Sequence, residues 1–243
     1  MIRSRDYIKK AILMRLKSEE QPYFFNNDKE WYYNACICPK LSKSSNEKAI
    51  RDGYFYVANI VAGSLLYEDF ISNKYSKSID EITKEKLFDI HLDTLIFPLF
   101  YNYRHFIELS LKHLIKHIKK LTGEKKTKEE LNTLSRHDIF SLYILFENLF
   151  NNLPQTTEAK KHNDFSKIKT YFPTLSRITK DFTRFDKSST HTRYLYDNND
   201  NVFYDKQERI NIRELANNMQ KVKENFFHIE WFLSILDENK FEY

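Results

Sequence analysis

Arg104, Glu108 and Lys112 follow one another at intervals of four in a stretch whose apolar residues also recur at helical spacing, and the two patterns collide. With successive residues about 100° apart around a helix axis, Phe100, Tyr103, Ile107, Leu111, Leu114, Ile118 and Leu121 share one apolar sector. Arg104 falls inside that sector, Glu108 lies at its edge and Lys112 lies beyond it. A buried guanidinium without partners is very costly, so Arg104 needs a carboxylate, and Glu108 one turn on can reach it. Such a pair is either an internal tie that fixes helix packing or part of a polar cluster lining a cleft. In a cleft, low dielectric makes charges effective on an anionic substrate. His137 sits beside Ser135 at a helix start, where the helix dipole disfavours the imidazolium form. A neutral imidazole there can serve as a base, and the plainer reading is a surface histidine in a first turn.

The same helix is the source of the chain's positive charge. Residues 104–128 hold eight Lys or Arg against two Glu, a balance of +6, while the whole chain carries +5, so the remainder is close to neutral. Lys112, Lys116, Lys119, Lys120, Lys125 and Lys126, with His105, His113 and His117 among them, are the candidate phosphate contacts for a nucleic acid. A solvated basic face is the alternative. Only three glycines occur, Gly53, Gly63 and Gly123, which excludes the glycine-rich phosphate loops. Cys36 and Cys38 are too few for a disulfide framework and lack a second ligand pair for zinc, so reduced thiols are expected. Asp197, Asn199, Asn201 and Glu208 mimic a calcium-loop spacing, but Val202 stands where that loop needs glycine. His113 and His117 lack the glutamate of a zinc-protease helix, because Leu114 follows His113. No metal and no cofactor are expected.

The elements that must position these residues read as helices. The chain has 243 residues, 41% hydrophobic and 16% aromatic, enough to bury a sizeable core. Ile212, Leu215, Met219, Val222, Phe226, Ile229, Leu233 and Leu236 step by three and four without a break and predict one long C-terminal helix. Its seam, widened by Phe227, Trp231, Phe232 and Ile235, suits a bundle packed on several neighbours, antiparallel to the Pro98 helix. Ile50, Tyr54, Val57, Val61 and Leu65 predict a second helix, and Ile8, Ile12 and Leu13 a third. Pro98 fits the first turn of the basic helix and Gly123 its stop. Ser135 and Asp138 resemble a capping box for a helix carrying Ile139, Leu142, Tyr143, Phe146 and Phe150 and ending near Pro154. Residues 192–205, with alternating Tyr194 and Tyr196 and the turn cluster Asn198 to Asn201, predict a small β-hairpin. The expectation is a single all-α domain over 1–243, with N-terminal helices and an irregular connection (22–45) in 1–97 and a bundle core over 98–243. No apolar run approaches the roughly 18 to 20 residues that span a bilayer, and the N-terminus is charged, so a cytoplasmic protein without a membrane role is expected.

Three pieces in this order carry a resemblance: residues 101–115, which include Tyr103-Arg104-His105-Phe106-Ile107-Glu108-Leu109; then Arg136-His137-Asp138-Ile139; then Thr192-Arg193-Tyr194. Together they resemble helical bacterial proteins of the HEPN type, which pair an "RHxxELxxK" helix with an "HDL" helix start. The resemblance covers about a hundred residues, roughly 98–195. It implies a bundle of four or more helices, often dimeric, met among toxins and antiphage effectors that cut RNA without a metal. It adds Arg193 to Arg104, Glu108 and His137 as a candidate catalytic residue. It also offers a second candidate pair, Arg184 and His191, whose spacing matches the Arg-to-His interval of catalytic members. The implied partners are RNA, a second copy of the chain, and a protein such as a cognate antitoxin or defence subunit. A non-catalytic interaction module of the same type, an antitoxin, sensor or adaptor, is the alternative.

Overall fold

The computed structural model describes residues 43–75, 92–153, 164–187, 189–190, 192–193, 199–200 and 209–238. The chain divides into two compact units, residues 1–43 and 44–243, and every described residue except Lys43 belongs to the second. The described residues are mostly helical and include no strand: α1 (Lys43–Tyr75), α2 (Leu92–Thr122), α3 (Lys128–Ser135), α4 (Ile139–Asn152), α5 (Asp164–Lys169), α6 (Phe172–Phe185) and α7 (Ile212–Glu238). The all-α class is as expected. The expected hairpin near residues 192–205 is not seen: Thr192 and Arg193 lie in a turn, as does Asn199, and residues 194–198 and 201–205 lie outside the described residues. The helix expected around Ile8, Ile12 and Leu13 also lies outside them.

One apolar core joins α1, α2, α4, α5, α6 and α7, from Phe55 to Leu236. The α1 helix contributes Phe55, Ala58, Ala62 and Leu65, whereas Ile50 and Val57 are about half exposed. The stripe is therefore turned from the one expected. Two alanines let α1 approach closely, and Phe55 packs its ring against Tyr103 and Phe106 of α2. Tyr103 Oη donates to Asn59 Oδ1 at 2.6 Å, and Lys116 meets Glu47, so α1 and α2 run antiparallel.

The α2 helix starts six residues before Pro98, which sits inside it at an exposed position. Proline there removes one N–H donor, a loss a 31-residue helix absorbs when its buried stripe is this long. Gly123 follows the last turn with φ +71°, as expected for its stop. The α7 helix packs beside α2 in the same direction: Phe106 meets Phe226, His113 meets Glu230 and Lys120 meets Asp237. The expected antiparallel arrangement is wrong, because an apolar seam reports which face is buried and not the direction in which it runs.

The helix start before α4 also differs from expectation. Ser135 closes α3, its Oγ donating to Asn132 O, and Asp138 is the cap, accepting from the N–H groups of Phe140 and Ser141. The capping box in this region belongs to Thr127 and Glu130 at the start of α3. Asp138→Ala is expected to cost about 1 kcal/mol in urea unfolding, the usual effect of removing a cap; an unchanged midpoint would count against the assigned N-cap.

Candidate functional site

Arg104 is fully buried, and its guanidinium ties α2 to two loops. Nε donates to Asp186 O at 3.0 Å and NH2 to Lys187 O at 3.1 Å, while NH2 also donates to His137 O. NH1 faces Glu108 Oε2 at 3.4 Å. Burial lowers the guanidinium from its ordinary value against the attraction of Asp186 and Glu108, and an arginine stays charged regardless. The sequence-based choice between internal tie and cleft charge resolves toward the tie. Four donor contacts are taken by the protein, so Arg104 positions its neighbours and does not itself face a ligand.

Glu108 is buried and gathers the other groups. Its Oε1 accepts from Lys112 Nζ at 2.8 Å and lies 2.9 Å from His137 Nδ1. His105 Nδ1 is 3.9 Å from Oε2. Burial alone raises the Glu108 carboxyl, but hydrogen bonds and charge from Lys112 and His137 outweigh it and hold the group below its ordinary value. An ionised carboxylate only accepts, so His137 Nδ1 carries a proton toward it, and the tautomer with that proton leaves Nε2 as the acceptor. The His137 side chain is 52% exposed, against 1% for Glu108. A buried carboxylate thus orients a solvent-reachable imidazole, with the Lys112 ammonium no more than about 5.7 Å from Nδ1 through their shared oxygen. His105 is a poor second base: burial lowers its pKa, and its ring is stacked on Tyr101 and edge-on to Tyr54.

Arg104, Glu108 and His137, three of the candidate site residues, therefore meet. Arg193 stands beside them: its guanidinium lies 5.8 Å over the Tyr101 ring, which stacks on His105, and its Nε donates to Ser189 O. Arg184 is exposed in the last turn of α6, and its candidate partner His191 lies outside the described residues. The residue that sequence reasoning missed is Asp186. Fully buried, it accepts from Thr190 N, Thr192 N and Thr192 Oγ1 at 3.0, 3.2 and 2.8 Å, folding the 186–193 loop whose first carbonyl takes Arg104. Its signal was an aspartate just after an amphipathic helix, followed by Ser and Thr, the composition of a side-chain-capped turn.

Most of the basic stripe is matched by carboxylates. Lys116 meets Glu47, Lys120 meets Asp237, and Lys119, 7% exposed, meets Glu124 and Glu130. Burial disfavours the Lys119 ammonium, yet the two glutamates hold it above its ordinary value, so it is a strut and not a phosphate contact. Lys125 and Lys126 are exposed in the loop after α2. Behind the stripe, Glu230 of α7 joins His113 Nε2 at 3.1 Å and Arg51 NH2 at 2.9 Å. Burial opposes its ionisation, but His113 and Arg51 pull the carboxyl down to about 2. A carboxyl lowered on folding adds stability above its unfolded pKa and loses it as pH falls toward the folded value. Glu230→Gln should cost about 2–3 kcal/mol at pH 7 after solvent screening. The difference from the wild type should shrink between pH 5 and pH 2 in urea titrations, and a difference independent of pH would overturn this assignment.

No group of three or more metal-ligating side chains occurs among the described residues, and no described helix is long and apolar enough to cross a membrane. Compared with protein-family models, with curated proteins and with solved structures, the chain matches none of them.

Proposed function

We propose that the chain is a HEPN-like effector that binds RNA and cleaves it without a metal, in a toxin or antiviral context in the cytoplasm, and that it works as a homodimer. The observation that carries this reading is the half-exposed His137 ring anchored at 2.9 Å to a buried, ionised Glu108. In the proposed step, His137 Nε2 takes the proton of a ribose 2′-hydroxyl as the oxygen attacks the adjacent phosphorus. The 5′-oxygen of the next nucleotide leaves, giving a 2′,3′-cyclic phosphate and, once protonated, a 5′-hydroxyl. Lys112 supplies positive charge next to the dyad, and Arg104 holds the His137 main chain in place. This revises the role that the resemblance gives Arg104, since an enclosed guanidinium does not touch phosphate.

The test is incubation of the full chain with structured and unstructured RNAs in EDTA, with end-group analysis of the products and sedimentation to establish a dimer. Cyclic-phosphate ends from the untreated protein are expected. Intact RNA at high protein concentration would refute intrinsic catalysis.

Binding should weaken steeply with salt, because each phosphate contact releases counterions. Since Lys119 is internal, changing Lys125 and Lys126 to Gln should flatten that dependence by a slope of about 2, and changing Lys119 should not. Equal slopes for all variants would remove the basic stripe from the interface.

The second reading, a non-catalytic interaction module for an antitoxin or defence subunit, is favoured by two observations. Arg104 is wholly committed to internal contacts, and large apolar side chains stand exposed on α1 (Tyr56, Ile60) and α7 (Phe227, Trp231). Intact RNA together with a stable protein complex would select it.

A further inference from the structure

A pocket of about 260 Å³ opens between α1 and α2, and its lining residue Lys112 lies one helical turn on from Glu108. Ile50 and Leu109 give it an apolar lining, and Arg51, Lys112, His113 and Lys116 surround them with cationic or protonatable groups. Glu47 is the one carboxylate in the lining. The other acids that balance these cations, Glu230 and Asp52 for Arg51, Glu230 for His113 and Glu108 for Lys112, do not line the pocket. Arg51 is itself 7% exposed and held by Glu230 and Asp52, so the cations a ligand can recruit are Lys112 and Lys116, with Glu47 the negative charge beside them. The Glu47 and Lys116 pair is solvent-screened, with side chains 35% and 49% exposed, and an incoming anion can replace Glu47 there.

We propose that this pocket binds a small organic anion with an apolar body, and that occupancy is transmitted to His137 through Lys112. The chemistry of the lining selects both halves of such a ligand: the apolar body covers Ile50 and Leu109, and the anionic group pairs with Lys116 and Lys112. Lys112 is the link because the residue lines the pocket and its ammonium bonds Glu108 Oε1 at 2.8 Å, the same oxygen that holds His137. An anion that draws Lys112 outward takes a donor from Glu108 and leaves that carboxylate to Arg104 and His137. The pocket thus reads as a regulatory position beside the dyad, and its filling is independent of whether RNA is the substrate.

The experiment is an NMR titration of the full chain with phenyl phosphate, against inorganic phosphate and benzyl alcohol as the two halves. Phenyl phosphate should saturate resonances of Ile50 and Leu109 at concentrations at least tenfold below either half, and should shift the His137 imidazole resonances in parallel. Lys116→Glu and Ile50→Glu should each weaken binding at least tenfold while the rest of the spectrum shows an intact fold. Lys112→Gln at saturating phenyl phosphate should keep the Ile50 response and abolish that of His137. Equal affinity for phenyl phosphate and inorganic phosphate, or variants that bind like the wild type, would overturn the site. A filled pocket with His137 unmoved would overturn the coupling. None of these readouts involves RNA cleavage, so failure here and failure of the nuclease reading are told apart.

Discussion

Arg104→Ala should lower the stability of the chain by about 4 kcal/mol, seen as a large fall in the urea midpoint followed by circular dichroism. Removing one member of a buried ion pair typically costs about 3–5 kcal/mol, because the remaining charge loses its compensation in a dry site. Glu108 softens that part of the loss here, since Lys112 and His137 still hold its carboxylate. The larger share comes from the main-chain carbonyls of Asp186, in a buried contact, and of His137 and Lys187, in partly buried ones, which Arg104 satisfies from α2. Each carbonyl left buried without a donor costs on the order of 1–3 kcal/mol. Arg104→Lys tests the geometric part of the argument. An ammonium keeps the charge but cannot serve acceptors in a planar fork, so lysine should recover less than half of the loss. A loss below about 1 kcal/mol for the alanine variant would show that the loops at 137 and 186 are held by something else.

How far the sequence reached depends on what kind of signal each feature leaves. Helix α7 was legible from end to end because its eight apolar positions repeat without interruption, and Gly123 was legible as a stop because a positive φ selects glycine. The α6 helix escaped although Phe172, Leu175, Ile178 and Phe182 recur at helical spacing, because charged residues and threonines dilute the stripe, and Thr179 itself is buried with its hydroxyl turned back onto Leu175 O. On α1 the larger apolar residues Ile50 and Val57 suggested one face, and the small Ala58 and Ala62 settled another, since close approach of helices rewards the smaller side chain. The site was legible where a charge broke an apolar sector, which is how Arg104 and Glu108 stood out. His137 was singled out by its helix start and by the order of motifs, but its contact with Glu108 was not legible, since 29 residues separate them and no local spacing reports such a contact. Asp186 was out of reach for the same reason: its value lies in a carbonyl aimed at residue 104, and main-chain direction has no residue type of its own.

His137→Ala should lower RNA cleavage about 10²–10⁴-fold, the range contributed by a positioned acid or base, while leaving the fold intact. The two effects separate at this residue as they cannot at Arg104, because the side chain is half exposed and its main-chain carbonyl, the acceptor for Arg104, survives the substitution. Thermal unfolding of the variant should therefore stay close to the wild type while product formation falls. Glu108→Gln then asks what the carboxylate does. A carboxylate forces the proton onto Nδ1 and leaves Nε2 free to accept, whereas a glutamine amide offers a donor as well as an acceptor and no longer dictates the tautomer. A rate loss of about 10²-fold or more with a folded protein is expected, by the logic that makes the orienting carboxylate of a catalytic histidine costly to neutralise. If His137→Ala cleaves as fast as the wild type, the dyad is structural and catalysis must be sought at Arg184 and His191. If His137→Ala is inactive and Glu108→Gln is fully active, the imidazole acts without orientation by its carboxylate, and the short Nδ1 contact to Glu108 contributes to packing rather than to proton transfer.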